Sequence, residues 1–102
     1  MTRMRRAERL LDQQLPGAAA GLARSVHAGA TLLGAIEEFG SVSAQPISFD
    51  LATIAASVRR GGSLDAALRD WELSRANCSV GVLVAACRFG HAEGGNLAAA
   101  LD

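Results

Sequence analysis

Cys87 and His91 stand four residues apart, a spacing that puts a sulfur and an imidazole on one face of a helix, where both could ligate one metal ion. A closed zinc site takes four ligands, and Cys78 and His27 are the remaining candidates. The same pair could serve as nucleophile and base, but no neighbour in the sequence lowers the thiol pKa or orients the ring. Gly94, Gly95 and Asn96 have the small residues of a phosphate loop, yet no lysine follows and no strand pattern precedes them. Glu37, Glu38, Asp70 and Glu72 could share acid and base roles, but no pocket-forming motif joins them. Arg3, Arg5, Arg6 and Arg9 are the basic cluster, able to contact phosphates of nucleic acid or lipid, or to form a plain solvated helix face. Each constellation has a simpler structural reading. The sequence therefore predicts no enzyme, no cofactor and no metal, and two thiols packed in a core.

The elements that hold these residues follow from composition. Of 102 residues 51 are apolar, 21 of them alanine and 13 leucine, against nine valines and isoleucines and four aromatic rings. That mixture favours helix. The length predicts one domain and excludes a nucleotide-binding fold joined to a substrate domain. Ten arginines balance ten carboxylates and lysine is absent, so the electrostatic pull of a nucleic-acid-binding domain is missing. Two cysteines cannot build a disulfide framework and fit a reduced, cytosolic protein. The longest apolar run, near Val80 to Cys87, falls short of the roughly 18 residues of a membrane span. The basic start resembles a signal peptide only until Asp12, Gln13 and Gln14, where an apolar segment would be required.

Thr31, Ser63 and Asn96 recur with a period of 32 and then 33 residues. Two residues before each stands Gly29, Gly61 or Gly94, and directly after each Leu32, Leu64 or Leu97. Upstream, Leu15, Ala19, Leu22 and Val26 match Ile47, Leu51, Ile54 and Val58, and then Val80, Val84, Cys87 and His91. These offsets of 4, 3 and 4 residues form one helical face. The glycine ends that helix in a left-handed conformation, and the polar residue caps the next one. In the second helices Leu32, Ile36 and Phe39 match Leu64, Leu68 and Trp71, which assigns Trp71 to the core in preference to ligand stacking.

The chain thus reads as a single all-α domain over residues 1–102, an antiparallel bundle of about six helices built from successive hairpins. With Pro16 and Pro46 opening helices, the spans expected are about 3–14, 16–28, 32–39, 46–60, 64–75 and 79–92, with a seventh starting near 97. Residues 1–14 form an Arg-rich leader helix and 15–102 the bundle, cut off one turn into its last helix. Buried positions should include Leu22, Val26, Leu32, Ile36, Leu51, Ile54, Val58, Leu64, Leu68, Trp71, Val84 and Leu97. Val80, Val84 and Leu97 should form an uncovered apolar face that drives self-association.

The segments SVHAGATLLGAI, SVRRGGSLDAAL and CRFGHAEGGNLAAAL resemble the cytoplasmic F-protein domain of bacterial type II secretion and type IV pilus machines. The Gly-Gly-Asn-Leu-Ala run, with Leu15 and Pro16 opening a helix, is similar to the tight-adherence pilus platform proteins. The resemblance spans about residues 14–102. It implies an all-helical bundle on the cytoplasmic face of the inner membrane, without a catalytic site, in a homo-oligomeric platform that couples a hexameric ATPase to pilus assembly or secretion. It assigns Gly29, Gly61, Gly94 and Gly95 to turns, Thr31, Ser63 and Asn96 to caps, and Leu32, Leu64 and Leu97 to the core. Two departures stand out: His91 replaces a frequent carboxylate, and membrane spans are missing at both ends, which implies a truncated gene or a soluble fragment of a membrane-anchored protein. The other reading is a free-standing helical-repeat adaptor, since a period near 34 residues also describes tetratricopeptide arrays.

In the platform reading Arg3, Arg5, Arg6 and Arg9 lie beside the membrane. The Gly29, Gly61 and Gly94 turns are then expected near the membrane, and the turns at 40–45 and 74–78 in the cytosol. Glu37, Glu38, Asp70, Glu72 and Arg75 flank those distal turns as a charged edge for the ATPase.

Overall fold

Two turns of the same construction divide the first four helices. The Gly29 N–H donates to the Val26 carbonyl and that of Ala30 to Ser25, both at 3.0 Å; Gly61 donates to Val58 at 2.9 Å and Gly62 to Ser57 at 3.0 Å. This closure needs a positive φ after the last helical turn, 107° at Gly29 and 104° at Gly61, which only glycine adopts freely. The next helix starts at once. Thr31 Oγ1 accepts from the Gly34 amide and Ser63 Oγ from the Ala66 amide, each at 3.0 Å; such a cap is worth about 1 kcal/mol. Both hairpin turns follow the sequence pattern.

The computed structural model describes residues 3–75 and 78–93, with the side chains of 3–5, 78 and 89–93 outside the description. The helices are α1 (Arg3–His27), α2 (Leu32–Val42), α3 (Ile47–Arg59), α4 (Leu64–Arg75) and α5 (Cys78–Glu93). Among the described residues there is no strand. The Gly94–Gly95 turn, the Asn96 cap, Leu97 and the expected seventh helix lie outside the described residues.

The bundle therefore has five described helices where about six were expected, because the break at Pro16 does not exist. Proline inside a helix removes one hydrogen bond and crowds the preceding turn, at a cost of about 3 kcal/mol. Yet α1 runs through Pro16 for 25 residues. Leu11, Leu15, Ala18 and Leu22 explain this: they form one continuous stripe across the proline and are at most 4% exposed. Burying three leucines contributes roughly 1.5–3 kcal/mol each, which outweighs the proline.

A long α1 also settles the open face. Val80 and Val84 are fully buried, because α5 packs back on α1 and shares one core with Leu11 and Leu15. The expected uncovered face at these two residues is thus closed. Around the bundle α1 meets α2, α2 meets α3, α3 meets α4, α4 meets α5 and α5 meets α1. In a solenoid of repeats the first and last units do not touch; here the ring is closed. The polarity expected for the turns is reversed as well. A continuous α1, about 37 Å long at 1.5 Å per residue, carries Gly29 away from the Arg-rich end, so the Gly29 and Gly61 turns lie at the far end and the α2–α3 turn on the near side.

The repeat register itself holds. Leu15, Ile47 and Val80 are buried, as are Leu22, Ile54 and Cys87, and so are Leu51 and Val84. Leu32, Ile36, Leu68 and Trp71 join them, while Val26, Val58, Leu64, Ala19 and Phe39 pack partly buried against the same core. Phe39 lies over Gly21, where a methyl group would come within 2.5 Å of the ring, so glycine is what lets α2 approach α1.

Candidate functional site

The most ordered polar cluster joins α3 to α4. Asp50, only 6% exposed, sits on the core side of α3 beside Leu51. Its Oδ2 accepts from Trp71 Nε1 and from Arg75 Nε, both at 2.8 Å, and its Oδ1 accepts from Arg75 Nη2 at 2.7 Å. A buried carboxylate costs several kcal/mol unless it is paired and hydrogen-bonded, and here three donors meet it. The hydrogen bond to Asp50 raises the Arg75 pKa above its ordinary value; burial opposes this, and the charges of Asp50 and Glu8 assist. Arg75 comes one turn after Trp71, so a single face of α4 supplies both donors.

Above this cluster the two helices leave a cleft of about 500 Å³. Ile54, Ala67 and Trp71 line its apolar part, and Phe49, Arg60 and Asp70 its polar and aromatic edge. Phe49 is 62% exposed. Neither Asp50 nor Phe49 was singled out by the sequence reading.

A second polar contact reaches across the bundle. α3 begins after Pro46, which offers no side-chain cap. Gln14 of α1 supplies one: its Oε1 accepts from the Ile47 amide at 3.1 Å, and its Nε2 donates to the carbonyls of Ala44 at 3.2 Å and Gln45 at 3.0 Å. One side chain thereby fixes the α2–α3 turn to α1.

The charged residues expected to form a docking edge occupy several surfaces. Glu37 is tied to Arg59 of α3 by bonds of 2.9 and 2.6 Å; the hydrogen bond from Arg59 lowers the Glu37 pKa and raises that of Arg59. Glu38 is exposed on the α1 side of α2, where the Ser25 hydroxyl donates to it at 3.4 Å. Asp70 stands at the α3–α4 cleft, exposed Glu72 lies near Gly81 of α5, and Arg75 is turned inward onto Asp50. α2 and α4 are separated by α3, so these residues do not converge on one point. Among the basic cluster, Arg6 and Arg9 are exposed on α1, and the side chains of Arg3 and Arg5 lie outside the described residues.

Cys87 is in the core at 1% exposure, and burial pushes its thiol pKa up to about 12. A thiol so held is not a nucleophile at neutral pH. The side chains of His91 and Cys78 lie outside the described residues. Among the described residues no three His, Cys, Asp or Glu side chains are grouped to hold a metal. Nor is any described helix long and apolar enough to cross a membrane.

A closed ring of helices, with buried charge used to lock one helix to the next and a cleft left open on its side, is a helical-bundle domain. Residues 18–102 match the family described as type II secretion system, protein F, and the chain belongs to that family. Its proteins are non-catalytic components of the inner-membrane platform of secretion and pilus systems. No match was found among curated proteins or among solved structures.

Proposed function

We propose that this chain is the cytoplasmic-face bundle of an inner-membrane platform protein of the tight-adherence branch, homo-oligomeric and membrane-anchored in its complete form, which couples a hexameric ATPase to pilus assembly or secretion. The family match over residues 18–102 carries the reading. The closed, internally paired bundle supports it: a body that transmits a motor's cycle must move as a unit, and interhelical bonds such as Asp50–Arg75 and Gln14–Ile47 resist shear between helices. Exposed Arg6 and Arg9, with Arg3 and Arg5, suit a membrane rich in anionic lipid, which attracts each arginine by about 1 kcal/mol. The ATPase docks through charged side chains spread over the flanks of the bundle, Glu37, Glu38, Asp70 and Glu72, with Arg75 held on Asp50 behind them, since charged rims govern encounter and salt dependence more than final affinity.

The test is binding of the purified domain to the ATPase of the same machine, with Glu37, Glu38 and Glu72 reversed to lysine. Weaker binding and an altered salt dependence are expected. Unchanged affinity and unchanged salt dependence in a folded variant discard the docking surface.

A further inference from the structure

We propose that the α3–α4 cleft is the surface through which two copies of this chain pair about a two-fold axis. Phe49 lines the cleft from α3 with 62% of its surface exposed, while Trp71, Ile54 and Ala67, which line the same cleft, are buried. A cleft that leaves its own aromatic rim in water is half of an apolar contact.

Charge decides what completes it. Arg59, Arg75 and Arg88 are each paired across helices, to Glu37, Asp50 and Asp65. Arg60, directly after α3, and Asp70, on α4, both line the cleft, both are exposed, and neither makes an ion pair within the described residues. An acidic partner segment would satisfy Arg60 and be repelled by Asp70; a basic one would do the reverse. A second copy satisfies both. In a two-fold contact residue i of one chain meets residue j of the other and the converse, so Arg60 faces the other copy's Asp70 twice over, while each Phe49 enters the opposite cleft. The Asp50 hydrogen bonds to Trp71 and Arg75 hold the cleft walls together before contact, so little ordering cost remains on pairing. A contact confined to one cleft of this size makes a weak, concentration-dependent dimer. This pairing supplies the surface for the self-association named in the proposed function; its test contains no ATPase, so its failure leaves that docking reading standing.

Sedimentation equilibrium of the whole chain, followed to about 1 mM, gives the measurement. The wild type should show a monomer–dimer equilibrium that weakens as salt rises. Arg60→Glu and Asp70→Arg should each weaken it about tenfold or more, because each creates two like-charge contacts across the axis. Mixed in equal amounts, these two variants should pair with each other at near wild-type strength, since both cross-axis contacts then join opposite charges. Phe49→Ser should weaken pairing without altering the helical circular dichroism spectrum. A strictly monomeric wild type overturns the proposal, and so does a mixture that associates no better than its separate components. If either charge reversal fails to fold, Arg60→Gln and Asp70→Asn replace it, and salt-independent wild-type pairing that neither neutral variant weakens also overturns it.

Discussion

Removing the Asp50 carboxylate tests whether the α3–α4 lock is a principal support of the fold. Asp50→Ala deletes the acceptor of three hydrogen bonds, one from Trp71 and two from Arg75. Breaking a buried ion pair by taking away one partner costs roughly 3–5 kcal/mol, because the other charge is left uncompensated. The Arg75 side chain keeps 25% of its surface in solvent and can partly rehydrate, which lowers the expectation to about 2–4 kcal/mol. Against a total stability of roughly 5–15 kcal/mol, that is a large share, and at roughly 4–8 °C per kcal/mol the melting temperature should fall by about 8 °C or more. Asp50→Asn retains one acceptor oxygen and should cost about 1–2 kcal/mol. Replacing both partners, Asp50→Leu with Arg75→Met, removes the stranded charge and should recover most of the loss. Urea denaturation monitored by Trp71 fluorescence measures all three. A cost below about 1 kcal/mol for Asp50→Ala in a folded protein, or a double variant no more stable than the single, would refute the reasoning.

Gln14→Ala should destabilise the bundle by about 1–2 kcal/mol and speed hydrogen exchange at the Ile47 amide, since it removes the remote cap of α3; unchanged exchange there would refute the role. Pro16→Ala should stabilise the chain by about 1–3 kcal/mol in the same denaturation assay, because it restores the hydrogen bond that α1 forgoes. Glu37 has a folded pKa below its free value of 4.5, so its pairing with Arg59 stabilises fully above that value and is lost as the pH falls through the folded pKa. The stability difference between wild type and Glu37→Gln should therefore be present at neutral pH and shrink as the pH falls below 4.5 and through the folded pKa, as denaturation along a pH series will show.

What could be read from the sequence was local. Gly29 with Thr31 and Gly61 with Ser63 specify their turns within a few residues, and the 4-3-4 spacing of Leu15, Ala19, Leu22 and Val26 fixes a face without knowledge of its neighbour. Pro16 misled because a local rule competed with a longer stripe: Leu11 and Leu15 already continued the face of Leu22, and their burial outweighs one lost bond. Asp50, Trp71 and Arg75 form a unit only after folding, being 21 and 25 residues apart. A carboxylate at the edge of the Ile47, Leu51, Ile54 stripe was the available signal. Gln14 gave none, since an amide that caps a helix 33 residues away looks like any polar surface residue. Arg75 was assigned to an outer edge for want of its partner.

The family match starts at residue 18, whereas the core starts earlier. Leu11 is fully buried and Leu15 nearly so, and they share the core with Val80, Leu83, Val84 and Cys87. The boundary at which sequence similarity begins is therefore not the boundary at which the structure can be divided. A chain trimmed to residue 18 would lose Gln14 as well as both leucines and bare the inner side of α5. In this protein the segment that leads into the domain is one of its walls.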